Sequence, residues 1–459
     1  MSTDKGVWSL QQVRDKQLQD LWSYTTTGDA LRLFAWGANT FGELYPAGIT
    51  GGEPAMRSSP VQIPGTTWKD FANISGKAPF NSIASKTDGT MWVWGRNQQG
   101  ALGQNEGQNE GTGSYKSSPV QIPGTNWTGT YDTMSGAYFT SFAIKTDGTL
   151  WSWGYNGNGA LGQNDRTTRS SPVQVPGTTW AVTASTIGAT YAIKTDGTLW
   201  SWGYNATGTL GLNQPANTRY SSPTQIPGTT WSKIATGERN AFALKTDGTL
   251  WSWGRNESGW LGLNEGSNTT SLSKSSPTQI SGTTWTSNYA VTQQGVLAIK
   301  TDGTLWSWGK NNNGSLGQNN QTAYSSPTQI PGTTWKAVTF INSGACALAV
   351  KTDGTLWAWG DNTNGNLGVP SLAETAKRSS PIQVGSDTTW DKVGATGRSA
   401  AAAIKTDGTL WTWGQNNKGQ LGLNDKVLRS SPTQVPGTWH GISGTYSGFS
   451  DSVMALRSI

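Results

Sequence analysis

The stretch KTDGTLWSWG, Lys145–Gly154, decides the fold, because near-identical copies of it recur along the 459-residue chain. Asp147 and Gly148 separate two short runs suited to extended structure. Asp-Gly between such runs is a strong signal for a two-residue hairpin turn, since both central residues need a positive φ. Seven copies of K-T-D-G-T occur, each followed by W-x-W-G, with their aspartates at Asp88, Asp147, Asp196, Asp247, Asp302, Asp353 and Asp407.

A second phrase accompanies the first and completes a repeating cycle. SSP followed by VQIPGTTW or a close variant occurs eight times, and successive K-T-D-G-T copies lie 49 to 59 residues apart. Gly and Pro punctuate the other junctions, which leaves about four short strands per cycle. A period near 50 residues with four strands per unit is typical of a β-propeller. The sequence therefore predicts an all-β propeller rather than a helical or mixed fold.

The two ends of the chain look like halves of one further hairpin. The segment LRLFAWG, Leu31–Gly37, lacks a strand before it, and DSVMALRSI, residues 451–459, lacks one after it. Pairing Met454–Arg457 with Leu31–Phe34 would close the ring and remove two exposed strand edges. We expect one closed propeller over residues 31–459 with eight four-stranded blades, seven blades being the alternative, and a separate extension over residues 1–30.

The cycle W-x-W-G-x-N-x-x-G-x-L-G resembles the regulator of chromosome condensation repeat over about residues 31–459. The resemblance implies a propeller, usually of seven blades, and a cellular role as an interaction module or a guanine-nucleotide exchange factor. Two departures stand out. Eight cycles are present here, and the His that many members carry after the third strand is missing from segments such as GAYFTS and GERNAF.

The tryptophans have a structural and a binding interpretation. Of 26 Trp, all but Trp8, Trp22 and Trp260 occupy repeated positions. Rings that recur in every unit are expected to pack between blades, whereas a ring of exposed sugar-stacking rings is the alternative. Likewise, one Asp per turn suits hairpin chemistry better than calcium, which needs several oxygen ligands close together.

The connections of such a blade alternate between two faces. The T-D-G-T and P-G-T-T-W links fall on one face, which we call the constant face. The loops that follow W-x-W-G fall on the other face, as do the loops that come before the strand ending in K-T-D-G-T. We call this the variable face, because the copies differ there. Diverse loops on a rigid ring favour binding, although drift of unconstrained loops explains them equally well. The candidate recognition residues on this face are Tyr115, Lys116, Tyr138, Phe139, Arg166, Arg169, Arg219, Tyr220, Arg239 and Trp260.

The first thirty residues lie outside the repeat. Ser9 and Gln12 have capping-box spacing, and the apolar residues that follow fall mostly on one side of a short helix. Such a helix needs a partner, either the propeller itself or another protein. We predict a docking segment through Trp8, Leu10, Val13, Leu18, Leu21 and Trp22. The segment is also similar to N-terminal leaders of bacteriophage tail and appendage proteins, which implies attachment to a virion.

Chemical motifs are sparse. One His and one Cys leave no material for a Ser-His-Asp set or a His/Cys metal cluster. No phosphate-binding G-x-x-x-x-G-K-[ST] motif occurs, no 18-residue apolar run or secretory signal is visible, and no basic run suits a phosphate backbone. We therefore expect no enzyme activity, no cofactor, no nucleic-acid partner and no membrane span.

These observations give two main functional hypotheses, and a third, a secreted inhibitor or adhesin, has the missing signal peptide against it. The first is a non-enzymatic phage virion protein of the tail, neck or capsid that docks to other virion proteins through residues 1–30. Its propeller would display the variable face to a host-surface glycan or protein, with self-association on the particle left open. The second is the cellular interaction module or exchange factor that the repeat resemblance implies.

Overall fold

The protein is described from a computed structural model. The structure describes residues 31–458 except 40–41, 43, 45–55, 75–80, 107–114, 138, 266–271, 293–294, 342–343, 374–375, 398 and 443–450. Regular structure within these residues consists of β-strands and single 3-10 turns. The predicted helix over the N-terminal extension lies outside the described residues. The all-β prediction is confirmed for the part of the chain described.

Each repeat forms an antiparallel sheet whose strands follow one another in space as they do in sequence. The inner strand begins at or near the Trp of P-G-T-T-W, the second ends in K-T-D-G-T, the third carries W-x-W-G and the outer one carries SSP. The first three four-stranded sheets are β3 (Trp68–Ile74), β4 (Asn81–Lys86), β5 (Met91–Arg96) and β6 (Tyr115–Gln121); β7 (Met134–Ser135), β8 (Thr140–Ile144), β9 (Leu150–Gly154) and β10 (Arg169–Gln174); and β11 (Trp180–Ser185), β12 (Ala189–Lys194), β13 (Leu199–Asn205) and β14 (Thr218–Ile226).

The next three sheets repeat the same order. They are β15 (Trp231–Thr236), β16 (Asn240–Lys245), β17 (Leu250–Gly254) and β18 (Lys274–Gln279); β19 (Trp285–Val291), β20 (Gly295–Lys300), β21 (Leu305–Gly309) and β22 (Tyr324–Ile330); and β23 (Trp335–Ile341), β24 (Cys346–Lys351), β25 (Leu356–Asp361) and β26 (Lys377–Gln383). Short 3-10 segments follow some of the strands, at Gln98–Gly100, Tyr131–Thr133, Glu257–Gly259 and Thr363–Gly365.

The last sheet is larger and combines the two ends of the chain. It has seven strands in the order β2-β1-β31-β30-β29-β28-β27. Their bounds are β1 (Arg32–Gly37), β2 (Arg57–Gln62), β27 (Trp390–Ala395), β28 (Ala400–Lys405), β29 (Thr409–Gly414), β30 (Arg429–Ile442) and β31 (Ser452–Arg457). The sheets described thus number seven and not the eight expected, because the 14-residue β30 runs without interruption from one repeat into the next.

The predicted pairing of the chain ends is present in this sheet. Strand β1 pairs with β31 in antiparallel register, with Arg32 opposite Arg457 and Phe34 opposite Ala455. Strand β31 also pairs with the C-terminal part of β30, where Trp439 lies opposite Arg457. The split hairpin identified in the sequence is therefore assembled from the two ends of the chain.

The K-T-D-G-T turns are held by the same bonds in each copy. In the copy quoted above, Asp147 Oδ1 accepts the Thr149 backbone N–H at 2.9 Å and its hydroxyl at 2.7 Å. The indole Nε1 of Trp151 in turn donates to the Thr149 hydroxyl at 2.9 Å. These bonds favour the ionised carboxylate and lower the pKa of Asp147, with the Thr149 hydroxyl as the largest cause. Turn chemistry thus accounts for the repeated Asp.

The two tryptophans of W-x-W have different environments. Trp202 is fully buried and its Nε1 donates at 2.8 Å to the Ala160 carbonyl of the preceding sheet. Trp200 is half-buried, and its Nε1 bonds the turn threonine of its own hairpin. The core confirms packing between sheets, because Trp202 clusters with Phe142 and Leu161 of the preceding sheet. The second Trp of the pair therefore joins neighbouring units, whereas the first supports its own turn.

The N-x-x-G-x-L-G segment docks each sheet onto the next. The side-chain oxygen of Asn156 accepts the Leu161 N–H at 2.9 Å and fixes the loop. Gly159 then lies against the next outer strand so closely that a Cβ would stand 2.9 Å from the Ser221 Cα. Further along the loop, the Asn164 N–H donates to the Ser221 carbonyl at 2.7 Å. Glycine is needed at this step because a side chain would push two backbones apart.

Candidate interaction surface

The constant face carries a repeated stack of one lysine on two tryptophans. Lys145 Nζ lies 4.9 Å from the ring centroid of Trp127 and 4.3 Å from that of Trp151. The lysines of the other six K-T-D-G-T copies are placed in the same way: Lys86, Lys194, Lys245, Lys300, Lys351 and Lys405. Each Lys is balanced by the Asp of its own turn. This face is therefore regular, nearly neutral and occupied by structural contacts.

The split hairpin has its own version of this stack. Arg457 replaces the lysine, and its guanidinium carbon lies 5.7 Å from the ring centroids of both Phe34 and Trp439. A cation above two aromatic rings stabilises the junction of the chain ends as it does the other hairpins.

The variable face carries cation–aromatic pairs that differ from unit to unit. Arg219 lies 4.6 Å above the Tyr204 ring, and its Nε donates to the Asn158 side chain of the preceding sheet at 3.3 Å. The Tyr204 hydroxyl donates to Asn217 at 2.6 Å. Arg219 is nevertheless exposed and has no acidic partner among the residues described. The predicted residue Arg219 thus lies on a fixed aromatic platform that faces solvent.

Trp260 belongs to a second such group. Its ring is half-buried, the guanidinium carbon of Arg255 lies 5.6 Å from its centroid, and Glu257 pairs with Arg255. The Trp260 backbone carbonyl accepts a hydrogen bond from Trp308 Nε1 at 3.1 Å, and this bond joins the sheet to the next one. Trp260 therefore covers a junction between sheets as well as contributing to the surface.

Phe139 is less accessible than a recognition residue would be. Its ring is 9% exposed, and its backbone has a φ of 66°, which is uncommon for a bulky residue. The guanidinium carbon of Arg96, from the preceding sheet, lies 5.6 Å from the ring. The structure therefore places Phe139 at a junction of two sheets, with Arg96 above it.

The other predicted residues divide into paired and open ones. Lys116 forms an ion pair with Glu106, and Arg169 one with Asp165 at 2.5 Å. Arg166 and Arg239 are exposed, Tyr115 is 38% exposed and Tyr220 is half-buried. Tyr138 and the N-terminal residues Trp8, Leu10, Val13, Leu18, Leu21 and Trp22 lie outside the described residues. Their proposed roles stay predictions.

Sequence reasoning missed the position directly after W-x-W-G. Here the chain leaves the third strand toward the variable face, and five residue types occupy the position in seven copies: Arg96, Tyr155, Tyr204, Arg255, Lys310, Asp361 and Gln415. The signal was available, because this is the one variable position between two invariant motifs. Among the residues described, this position supplies the arginine or the ring of three cation–aromatic pairs on the variable face.

The described residues offer little for catalysis or metal binding. No group of three His, Cys, Asp or Glu side chains in them is placed to hold a metal ion. Burial raises the pKa of the Cys346 thiol well above its usual range, which makes it a poor nucleophile. Within the same part of the chain, no helix has the length and apolar character needed to span a bilayer.

These features define a repeat protein with a propeller architecture. The model of the regulator of chromosome condensation (RCC1) repeat matches residues 88–142, 147–192, 196–244, 247–293, 302–345, 353–402 and 407–440, more than half of the chain. The chain belongs to the RCC1 repeat family. The resemblance read from the repeated motifs is confirmed.

Relatives and solved structures agree with this assignment. The chain is 27% identical over 435 residues to the mitochondrial RCC1 domain-containing protein RUG3 of Arabidopsis thaliana, covering 88% of this chain and 82% of that protein. It is 30% identical over 232 residues to the Arabidopsis ultraviolet-B receptor UVR8, covering 47% of this chain but only 51% of UVR8. The crystal structure of Prp20p from Saccharomyces cerevisiae, a protein described with its binding to Gsp1p and histones, superposes with a TM-score of 0.61 at 18% identity, covering 94% and 92% of the two chains.

The virion hypothesis is wrong on these findings. The relatives are cellular proteins, one of them mitochondrial. The likeness of the first thirty residues to phage tail proteins rested on a short segment of low specificity, whereas the repeat match extends over most of the chain. The expectations of a virion location, virion partners and glycan display depended on this hypothesis and are wrong as well.

Proposed function

We propose that this chain is a cellular protein-interaction module, a binding rather than a catalytic protein, that recognises a protein partner with its variable face. The observation that carries the proposal is the unequal charge of the two faces. Each K-T-D-G-T turn holds one Lys and one Asp, so the constant face contributes almost nothing to the net charge of +6. The excess positive charge lies largely on the variable face.

The cations on that face are open to a partner. Arg166, Arg219 and Arg239 are exposed, Lys310 is half-buried, and none of the four has an acidic partner in the described part of the chain. Arg219 also lies on an aromatic ring that holds it in place. Arginine and aromatic side chains are enriched at protein interfaces, where they contribute much of the binding energy. A protein partner with an acidic surface fits this face best.

The experiment compares charge reversal on the two faces. The double variant Arg219→Glu/Arg239→Glu should lose the partners captured by the wild-type chain at low salt. The matched control Thr178→Glu/Thr229→Glu/Thr283→Glu/Thr333→Glu makes the same change in net charge on exposed turns of the constant face and should retain them. Equal capture by both variants would show that the variable face is not the binding surface.

A narrower form of the proposal is guanine-nucleotide exchange on a small GTPase. It is favoured by the fold shared with Prp20p, which binds Gsp1p. The test measures release of a fluorescent GDP analogue from Gsp1p with and without the chain. Acceleration that the Arg219→Glu/Arg239→Glu variant abolishes would support exchange. If the chain does not accelerate release of the GDP analogue, the exchange proposal fails and the interaction-module proposal is unaffected.

We also infer that the seven-stranded sheet acts as two blades, which would make a closed ring of eight. Strand β29 pairs with residues 429, 433–435 and 438 of β30, whereas β31 pairs with residues 439, 441 and 442. Docking bonds of the repeated type occur on both sides of the junction: the Asn424 N–H donates to the Ser58 carbonyl at 2.7 Å, and a Cβ on Gly42 would lie 3.0 Å from the Ser117 Cα. Electron-microscopy averages viewed down the axis should show eight lobes; seven would contradict the inference.

A further inference from the structure

The inner strands of the sheets surround a cavity of about 700 Å³. Its wall is formed by residues of β3, β7, β11, β15, β19 and β23 and by the end of β30. Much of this wall is apolar or carries small hydroxyl side chains, such as Val182, Thr183 and Ala184 of β11. A concave, partly apolar site with a few convergent polar groups is the usual form of a ligand pocket.

One unit breaks the regular wall. The inner strands β11 and β15 have six residues each, whereas β7 has only two, Met134–Ser135. A 3-10 turn, Tyr131–Thr133, takes the place of the missing part. In a chain of near-identical repeats, this exception changes what the cavity presents.

The turn is fixed by its neighbours. Asp70, on the inner strand of the preceding sheet, accepts the Tyr131 N–H at 2.9 Å with Oδ2 and the Phe71 N–H at 2.8 Å with Oδ1. The Thr133 hydroxyl accepts the Thr130 N–H at 3.0 Å and donates to the Thr130 carbonyl at 2.8 Å. The turn is therefore held in one conformation before any ligand arrives.

The turn exposes two side chains to the cavity. Tyr131 is 68% exposed although it lines the wall, and Asp132 is exposed with no hydrogen-bond or ion-pair partner among the residues described. On β19, the Tyr289 hydroxyl is buried and without a partner in the same part of the chain. Burial and then the Asp132 carboxylate raise the pKa of Tyr289, so its hydroxyl stays protonated. An aromatic ring, a carboxylate and a buried hydroxyl thus lack partners around one cavity.

The charges near the turn favour a cation. Lys69 lies near Asp70, whose pKa is raised mainly by burial although the Lys69 charge opposes that rise, and the Lys69 Nζ donates to the Thr128 carbonyl at 2.6 Å. Lys69 therefore already has a hydrogen-bond acceptor, whereas Asp132 has no hydrogen-bond or ion-pair partner among the residues described. Lys233, on β15, is the cavity-lining cation without a partner in the described residues, and it belongs to a different sheet from the turn.

We propose that this cavity binds an organic cation, a primary ammonium or a guanidinium, between the Asp132 carboxylate and the Tyr131 ring. A cation over an electron-rich ring and beside an unpaired carboxylate gains both attractions. The ligand is either a free amine or the basic side chain of a protein segment. The cation site does not depend on the variable face. Absence of binding to this site would therefore leave the proposed partner surface unaffected.

The experiment titrates the full chain with agmatine and with N-acetyl-arginine amide, using calorimetry or saturation-transfer NMR. Saturable binding of either probe, weakened at least tenfold by Asp132→Asn and by Tyr131→Ala, is the expected result. Preference for agmatine would indicate a free amine, and preference for the blocked arginine would indicate a protein side chain. No saturable binding of either probe would overturn the proposal.

The matched control is Asp391→Asn. Asp391 is also on an inner strand, β27, but it is paired with Lys336 and does not line the cavity. This variant should bind the probes as the wild type does. An equal loss in Asp391→Asn, or stronger binding of N-acetyl-glutamate amide than of the cations, would contradict the cation site. The thermal unfolding midpoint of each variant shows that it is folded.

Discussion

At the residue scale, the fold is decided by which polar atoms of the repeated motifs find partners. In each hairpin the Asp accepts from Thr, the Thr accepts from the first Trp and a lysine lies over the rings. The second Trp reaches across to the carbonyl of a neighbouring sheet. The ten-residue phrase therefore contains both the turn and the joint.

The two tryptophans of one phrase should differ in their effect on stability. Trp202→Ala removes a fully buried ring and the bond to Ala160, and we expect it to lower the free energy of unfolding by about 3–5 kcal/mol. Trp200→Ala removes a half-buried ring and should cost clearly less. Denaturant titration followed by circular dichroism measures both. Equal losses would contradict the division of roles.

The turn aspartates predict a fall in stability at acid pH. Hydrogen bonds from Thr149 hold the pKa of Asp147 below its usual 3.8, and the other K-T-D-G-T aspartates have lowered pKa values for the same reason. A lowered folded-state pKa stabilises the protein above the unfolded-state pKa, and this contribution disappears as pH falls through the folded-state value. The melting temperature should therefore drop between about pH 5 and pH 2. Asp147→Asn should reduce that dependence; an unchanged pH profile would argue against this origin.

At the element scale, the loop after the third strand both joins sheets and carries variation. The Asn and Gly of N-x-x-G-x-L-G are fixed by contacts with backbone, so these positions repeat, whereas the residue before the Asn points out of the joint and changes freely. The candidate surface is therefore built from the free positions between fixed ones.

Replacing a docking glycine should test this joint. Gly159→Ala places a Cβ 2.9 Å from the Ser221 Cα of the next sheet, whereas Gly385→Ala, also at positive φ, meets nothing within 4 Å. Both changes strain the backbone by about 1 kcal/mol. Gly159→Ala should cost about 1–3 kcal/mol more because it forces two sheets apart. Thermal unfolding of both variants gives the difference, and equal melting temperatures would contradict tight docking.

At the scale of the whole molecule, the chain ends form part of one continuous sheet. Strand β31 lies between β1 and β30 and pairs with both. Its inner residues, such as Met454 and Ala455, are buried. The end of the chain is therefore a central strand of its sheet and not an edge strand.

Removal of that strand should be more damaging than removal of the extension. Deleting residues 452–459 leaves β1 and β30 without their shared partner and exposes Trp36 and Trp439, so we expect a large drop in melting temperature and broader unfolding. Deleting residues 1–28, which lie outside the repeats, should leave the melting temperature unchanged. Calorimetry of both truncations measures this. A deletion of 452–459 that unfolds like the wild type would show that the pairing contributes nothing.

Much of the fold could be predicted from the sequence, because the hairpin phrase, its period and the split between the chain ends are all visible there. The seven-stranded sheet could not, since only the structure shows that β30 continues through the position of a turn. The site was harder to predict. Lys116 and Arg169 looked open but have ion-pair partners from their own loops, and Phe139 looked exposed but lies under Arg96. The irregular turn at Tyr131 gave no repeated signal at all.

The antiparallel pairing of β1 with β31 also has a mechanical consequence. Arg32 and Arg457, nearest the two termini, lie opposite each other at one end of the pair, and Gly37 and Ser452 at the other. A force that pulls these ends apart acts across the strands and not along them, so it opens the pair one rung at a time, like a zipper. The Trp36 indole, bonded to the Gln420 carbonyl at 3.0 Å, is reached near the end of that opening. Tension between Arg32 and Arg457 therefore breaks the strand pairing nearest these two residues first and reaches the Trp36 hydrogen bond near the end of the opening.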